Sequence, residues 1–332
     1  MSQSESDESS SGAATGAERT TRNPAVERYL AAREARKTAP PELLPDPPPH
    51  DEDTLWRGLL RDGQMRLLVS RATAAVAEIA QRLETSPDVT RTIAEFWCGA
   101  QLVRATIHPD EAIQLACTQD GGMGNFVVDI HDDGTGRATV RNPQFRGEPI
   151  AGGRLQVTRL RKGVGKYRSS IEMVPGERPT ELLMRYLQDS EQILSLLDVD
   201  VQLDDHGGLA SVVGSVVQLM PEGTRDDLAR LVANLETSGS LRAAMTPADP
   251  DAIGWARRIL HGFYWDQVAR QDVGFACTCS AERVIALIAS LSPTDIADLI
   301  EGLETLETTC DYCRTTWSTP VSQLQPLLAT PS

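Results

Sequence analysis

The apolar positions of this chain change period near residue 108. Before that point Leu55, Leu59, Leu60, Leu67, Leu68, Ala75 and Ile79 recur mostly every three or four residues, which predicts a helix over Thr54–Thr85. Val89–Ile107 predicts a second helix, closed by His108-Pro109 because the residue before proline is pushed out of the helical region. The period then becomes two. Ile113–Thr118, Asn125–Ile130 and Gly136–Arg141 read as strands, joined through Gly121-Gly122 and Asp133-Gly134. Leu155–Arg161 and Tyr167–Met173 form a further hairpin around Lys162-Gly163-Val164-Gly165-Lys166. Thr180–Leu197 predicts a helix, Val199–Asp204 and Val212–Leu219 strands, and Thr224 caps a helix running to about Leu235. The order is not a regular alternation of strand and helix. It predicts an α+β domain over 53–236, an antiparallel-rich sheet with helices, without internal repeats.

Residues 237–265 read as a linker, but not a polar one. The amphipathic run from Ile253 to Val268 includes Trp255, Phe263, Tyr264 and Trp265, four of the fifteen aromatic residues of the chain. Linkers that stay in water are polar, so this helical stretch is expected to bury its aromatic residues against the preceding domain. Residues 266–320 form a second, small domain. Ser280 caps one helix and Ser292-Pro293 starts another, with Asp295 in its first turn. Val284, Leu287, Ile288, Leu291, Ile296 and Leu299 give it a thin apolar face, too small to fold without a staple. Residues 321–332 read as a C-terminal tail.

The staple is written in cysteine. Cys277-Thr278-Cys279 and Cys310-Asp311-Tyr312-Cys313 are two close thiol pairs separated by thirty residues of helical pattern, the arrangement of a tetrahedral Cys₄ zinc site, one ion per chain. The first pair is Cys-x-Cys. Thiols one residue apart close into a strained disulfide, the labile kind. Spacing alone leaves two readings open, a permanent zinc staple and a redox switch. Cys98 lies in a helical pattern and Cys117 in an apolar strand, and both read as inert core residues.

The neighbourhood Cys277-Thr278-Cys279-Ser280-Ala281-Glu282-Arg283 followed by Cys310-Asp311-Tyr312-Cys313 resembles the redox-regulated 33-kDa heat-shock chaperone family, cytosolic zinc thiol-switch holdases. Arg141-Asn142-Pro143, the run Tyr186–Gln192 and Val217-Gln218-Leu219-Met220-Pro221 also resemble family segments, and the likeness extends over about residues 53–320. Gly214-Ser215 departs from a usual glycine pair, and Arg314 from the usual glycine or asparagine after the last cysteine. The resemblance implies a chaperone that binds unfolded proteins under oxidative and heat stress. It implies Cys277, Cys279, Cys310 and Cys313 as zinc ligands when reduced, and disulfides Cys277–Cys279 and Cys310–Cys313 when oxidised. It further implies a linker that covers the client-binding surface, and dimerisation on activation.

Composition narrows the rest. Residues 1–52 hold seven of the twenty prolines, six serines and almost no aromatic residues, a disordered extension by composition. The net charge is −15, and Asp266–Ser332 carries nine acidic and three basic residues, which argues against nucleic acid as a partner. No run of eighteen apolar residues predicts a membrane span, and the acidic start has no apolar signal core, so a cytoplasmic protein with reduced thiols is expected. The glycine-rich segments Gly121–Gly124 and Gly163–Lys166 lack phosphate-loop spacing, and the five histidines are scattered. No catalytic motif is found, so no enzyme is expected. Two alternatives remain: a constitutive zinc-ribbon adaptor, and a thiol–disulfide oxidoreductase using Cys310 and Cys313, which would need a βαβ frame the pattern does not supply.

Overall fold

A computed structural model describes residues 53–60, 64–161, 165–246, 248–249 and 251–329, together with residues 24, 27, 28 and 31. The extension expected to be disordered over 1–52, and the hairpin turn at 162–164, fall almost wholly outside the described residues.

The body is built on two sheets. One has the order β10-β1-β2-β9-β8, formed by β1 (Thr54–Leu60), β2 (Met65–Arg71), β8 (Ser195–Leu203), β9 (Leu209–Leu219) and β10 (Trp265–Asp272), all pairs antiparallel. The other has the order β11-β5-β4-β3-β6-β7, with β3 (Glu111–Thr118), β4 (Phe126–Ile130), β5 (Thr135–Val140), β6 (Gly153–Arg161), β7 (Gly165–Met173) and β11 (Gly274–Phe275). Only the short β11–β5 pair is parallel. Helices α1 (Thr73–Leu83), α2 (Pro87–Arg104) and α3 (Pro179–Asp189) share one core with inward residues of both sheets, among them Leu55, Leu68, Leu115, Val128, Leu197 and Val216. Gly214 lets α2 approach: a Cβ there would lie 2.7 Å from the Cys98 sulfur. The glycine at this place in the departing Gly214-Ser215 pair is therefore kept for a packing reason.

The helix expected over Thr54–Thr85 is corrected. Residues 54–60 and 65–71 are strands, and only Thr73–Leu83 is helical. Both faces of this sheet are covered, so alternation is lost: Leu55 and Leu68 face the central core, whereas Trp56, Leu60, Met65, Leu67 and Val69 face a second one. The helix expected over Thr180–Leu197 is likewise shorter. It ends at Asp189, and Ser195–Leu203 pairs with β9.

The second core lies on the outer face of the five-stranded sheet. Helix α4 (Arg225–Thr237) and the linker helices α5 (Leu241–Ala244) and α6 (Ile253–Ile259) pack there over Trp56, Leu67, Val69, Leu196, Val213 and Val217. Thr224 and Asp227 form the capping box of α4. Asn234 of α4 donates to the carbonyls of Ile259 and His261, both at 2.9 Å. Trp255 is 3% exposed, Phe263 packs partly buried, and Trp265 stacks on Trp56 with ring centroids 6.1 Å apart. Gly58 makes that stack fit, since a Cβ there would meet both indoles at 3.1–3.2 Å. Tyr264 departs from the expectation of burial: it is 76% exposed. The chain then runs as edge strand β10 on β1, across the expected boundary at 266, before entering the small module.

That module holds helices α7 (Ala281–Ile288) and α8 (Pro293–Ile300), the hairpin β12 (Thr305–Thr309) and β13 (Thr316–Pro320), and α9 (Val321–Leu324), followed by a 3₁₀ turn over Gln325–Ala329. The Ser280 and Ser292 hydroxyls accept from the amides of Arg283 and Asp295, as the sequence predicts. Its core is Val284, Ile288, Ile296, Ile300, Leu306 and Leu324. Leu324 is fully buried, so the segment from 321 completes the module rather than leaving it as a tail.

Candidate metal centre

Cys277 and Cys279 lie on the irregular stretch between β11 and α7. Cys310 and Cys313 lie in the turn of the β12–β13 hairpin. The two helices fold the thirty intervening residues back on themselves and bring the pairs together. All four sulfurs lie within 4.8 Å of one another. Cys277 Sγ is 3.8 Å from Cys310 Sγ, and Cys279 Sγ is 3.3 Å from Cys313 Sγ. A tetrahedral site with zinc–sulfur bonds of about 2.3 Å sets its sulfurs about 3.8 Å apart. The donor set is purely thiol, suited to zinc among the common divalent ions. Cys98 and Cys117 are buried in the central core and take no part in this cluster, as expected.

The turn that carries the second pair is closed by backbone. Cys310 N–H donates to the Thr315 carbonyl and Arg314 N–H to the Cys310 carbonyl, both at 2.9 Å. Arg314 takes φ +60°, the left-handed conformation that glycine or asparagine adopts at least cost. The departure at this position thus retains the turn and carries some backbone strain.

Electrostatics differ among the sulfurs. Burial pushes the Cys279 thiol up to about 12, helped by hydrogen bonding to Cys313 and Cys277. Burial also raises Cys310, against the pull of the Cys313 and Tyr312 amides. Cys313 is lowered to about 6: burial opposes its ionisation, but the Thr315 hydroxyl and amide and the neighbouring thiols outweigh it. A bound dication would favour thiolate at all four.

Two residues that sequence reasoning missed, Arg137 and Arg82, touch this cluster. Arg137 on β5 donates from Nη1 to Cys277 Sγ at 3.5 Å, and its guanidinium lies 3.9 Å over the Tyr312 ring. Asp129 on β4 holds it through a 3.0 Å ion pair. Arg82 on α1 donates to the Cys313 carbonyl at 3.0 Å and stands over the Phe275 ring at 4.9 Å. Tyr312, inside the second cysteine pair, is raised to about 12 by burial and by the Asp129 carboxylate. Arg82 and Arg137 read in sequence as ordinary surface positions of a helix and a strand. Nothing local marks them.

Comparison with known proteins agrees with this architecture. The family described as Hsp33 protein matches residues 53–319. The 33 kDa chaperonin of Symbiobacterium thermophilum is 31% identical over 277 residues, covering 79% of this chain and 92% of that protein. The 33 kDa chaperonin of Picosynechococcus sp. is 29% identical over 300 residues, covering 83% and 97%. The crystal structure of the 33 kDa chaperonin from Thermotoga maritima superposes with a TM-score of 0.73 at 22% identity, over 83% of this chain and 98% of that one, and so shares the fold. The family match spans the α+β body, the aromatic linker and the four-cysteine module together, and this chain belongs to the Hsp33 family of chaperones.

Proposed function

We propose that this chaperone is a redox-regulated holdase: a cytoplasmic, non-enzymatic protein that binds unfolded clients under oxidative and heat stress. Cys277, Cys279, Cys310 and Cys313 hold one zinc per chain in the reduced, inactive state. The observation that carries this reading is the four-sulfur cluster, within 4.8 Å, at the junction of a module whose own core has six buried apolar residues. Structural zinc supplies on the order of 10–16 kcal/mol to the folding of modules this small. Oxidation of the thiolates to the disulfides Cys277–Cys279 and Cys310–Cys313 removes the ligand set and with it the module's stability. The linker covers the outer face of the five-stranded sheet and enters the module through β10 and β11. Loss of the module frees one end of that cover. Heat then opens it, exposing the sheet face around Trp56, Leu67, Val69 and Val217 and the linker's own aromatic residues to clients, and allowing two chains to associate.

The deciding experiment measures zinc release and suppression of client aggregation in parallel, before and after mild peroxide with heat. Coupled gain of activity and loss of zinc supports the switch. Client binding independent of oxidant favours a constitutive adaptor, and turnover of insulin disulfides favours an oxidoreductase.

A further inference from the structure

The body and the cysteine module share little apolar core, only what Val273 and Phe275 at the module's entry contribute. The central core reaches Val273 and packs partly buried Phe275, while the module's cluster begins at Val284 and contains only its own residues. Backbone pairing between them is slight: Gly274 and Phe275 against Thr135 and Gly136, plus Ala276 N–H to the Gly136 carbonyl at 3.0 Å. Besides a Tyr312–Asp129 contact, two arginines span the junction. Arg137 bridges the Asp129 carboxylate of the body to Cys277 Sγ and the Tyr312 ring of the module. Arg82, held by Glu78 at 2.6 Å, bridges α1 to the Cys313 carbonyl and the Phe275 ring. Each arginine is fixed on the body by a carboxylate; Arg137 donates to the Cys277 sulfur, and Arg82 donates to the Cys313 backbone carbonyl with its charge beside the Cys313 and Cys277 sulfurs.

We infer that Arg137 and Arg82 are positioning residues that latch the cysteine module onto the chaperone body through the negative charge of its four thiolates, and that oxidation of the sulfurs releases the latch. This rests on the proposed thiolate–zinc centre. Four thiolates and one zinc ion carry a net charge of −2. Two molecules of hydrogen peroxide take four electrons from the four thiolates. Two S–S bonds form, two O–O bonds break, four protons are taken up, four waters are produced and the zinc ion is set free. The sulfurs end neutral, so the arginines lose the anion they faced and the module loses its charge-assisted hold. The structure thus couples the thiol chemistry to the body directly, before the linker itself unfolds.

The test uses the full chain, reduced and zinc-loaded, with zinc content measured on every sample. Amide exchange at Ala276 reports the junction. Arg137→Gln is expected to speed that exchange about tenfold, the size of effect from losing one charge-assisted hydrogen bond. Arg137→Lys, which keeps the charge, restores most of the protection, and Arg82→Gln acts in the same direction. In the unaltered protein, raising salt from 0.05 M to 1 M should speed exchange, because screening shortens to about 3 Å. The Arg137→Gln, Arg82→Gln double variant should lose that salt dependence. Peroxide treatment should bring the unaltered protein at least to the double variant's rate. Unchanged exchange in the variants, or a salt-independent junction, with one zinc per chain overturns the latch. If a variant fails to fold, the salt titration of the unaltered protein decides. Absence of zinc in the reduced protein would instead overturn the metal reading beneath it.

Discussion

Trp255 offers the sharpest test of the covering linker. Its indole is 3% exposed in the second core, and Nε1 donates to the Gly239 carbonyl at 3.4 Å. Truncating a buried tryptophan to alanine costs about 3–5 kcal/mol. That loss falls on the closed linker alone, because the same residue is solvated once the linker opens. At 1.4 kcal/mol per tenfold, the opening equilibrium of Trp255→Ala shifts by roughly a hundredfold to a few thousandfold. The reduced, zinc-loaded variant should therefore suppress client aggregation where the unaltered protein does not. Its residues 240–265 should exchange amide protons faster while the central core stays protected. Tyr264→Ser is the control: in the same linker but 76% exposed, it should change neither readout. If Trp255→Ala opens the linker by exchange and the reduced protein still ignores clients, the covered sheet face is not the client surface. If the linker stays protected in an oxidised, active, zinc-free protein, unmasking is not the mechanism.

Four further outcomes follow from the same geometry. Cys277→Ser with Cys310→Ser leaves two sulfurs and should abolish stoichiometric zinc, and full zinc content in that variant would refute the ligand set. Cys98→Ala and Cys117→Ala remove thiols that burial raises and keeps protonated, so oxidant activation should be unchanged, with a melting shift corresponding to about 0.5–3 kcal/mol. Deleting residues 1–52 removes the exposed Arg28–Glu236 ion pair and should leave folding, zinc content and oxidant dependence intact by calorimetry and aggregation assay. Zinc affinity, measured by chelator competition, should climb with pH. Near pH 7.5 Cys279 and Cys310 must each give up a proton, so affinity rises at least about a hundredfold per pH unit. Below about 6, where Cys313 is also protonated, the dependence steepens by one further proton.

The local chemistry of this protein was legible residue by residue. The thiol spacing specified the metal-type cluster, since four soft ligands in two close pairs have few other uses. Ser280, Ser292 and Thr224 announced their helices, because a cap is a local hydrogen bond. The hairpins between residues 111 and 173 were visible because one face of that sheet meets water and the period of two survives. Tertiary structure decided the rest. Leu55, Leu59, Leu60, Leu67 and Leu68 mimic a helical stripe, yet they lie in strands of a sheet covered on both faces, where burial erases alternation. In the sequence, Asp62-Gly63 between the two runs is a dipeptide favoured in hairpin turns, and it weighs against one continuous helix. Trp265–Asp272 became an edge strand because β1 presented an unpaired edge, a demand no local pattern records. Arg82 reaches the Cys313 carbonyl and Arg137 the Cys277 sulfur across 231 and 140 residues of sequence. Caps, turns and ligand spacing are short-range energies carried by neighbouring residues. Sheet edges, doubly covered faces and charge bridges exist only once distant segments have packed.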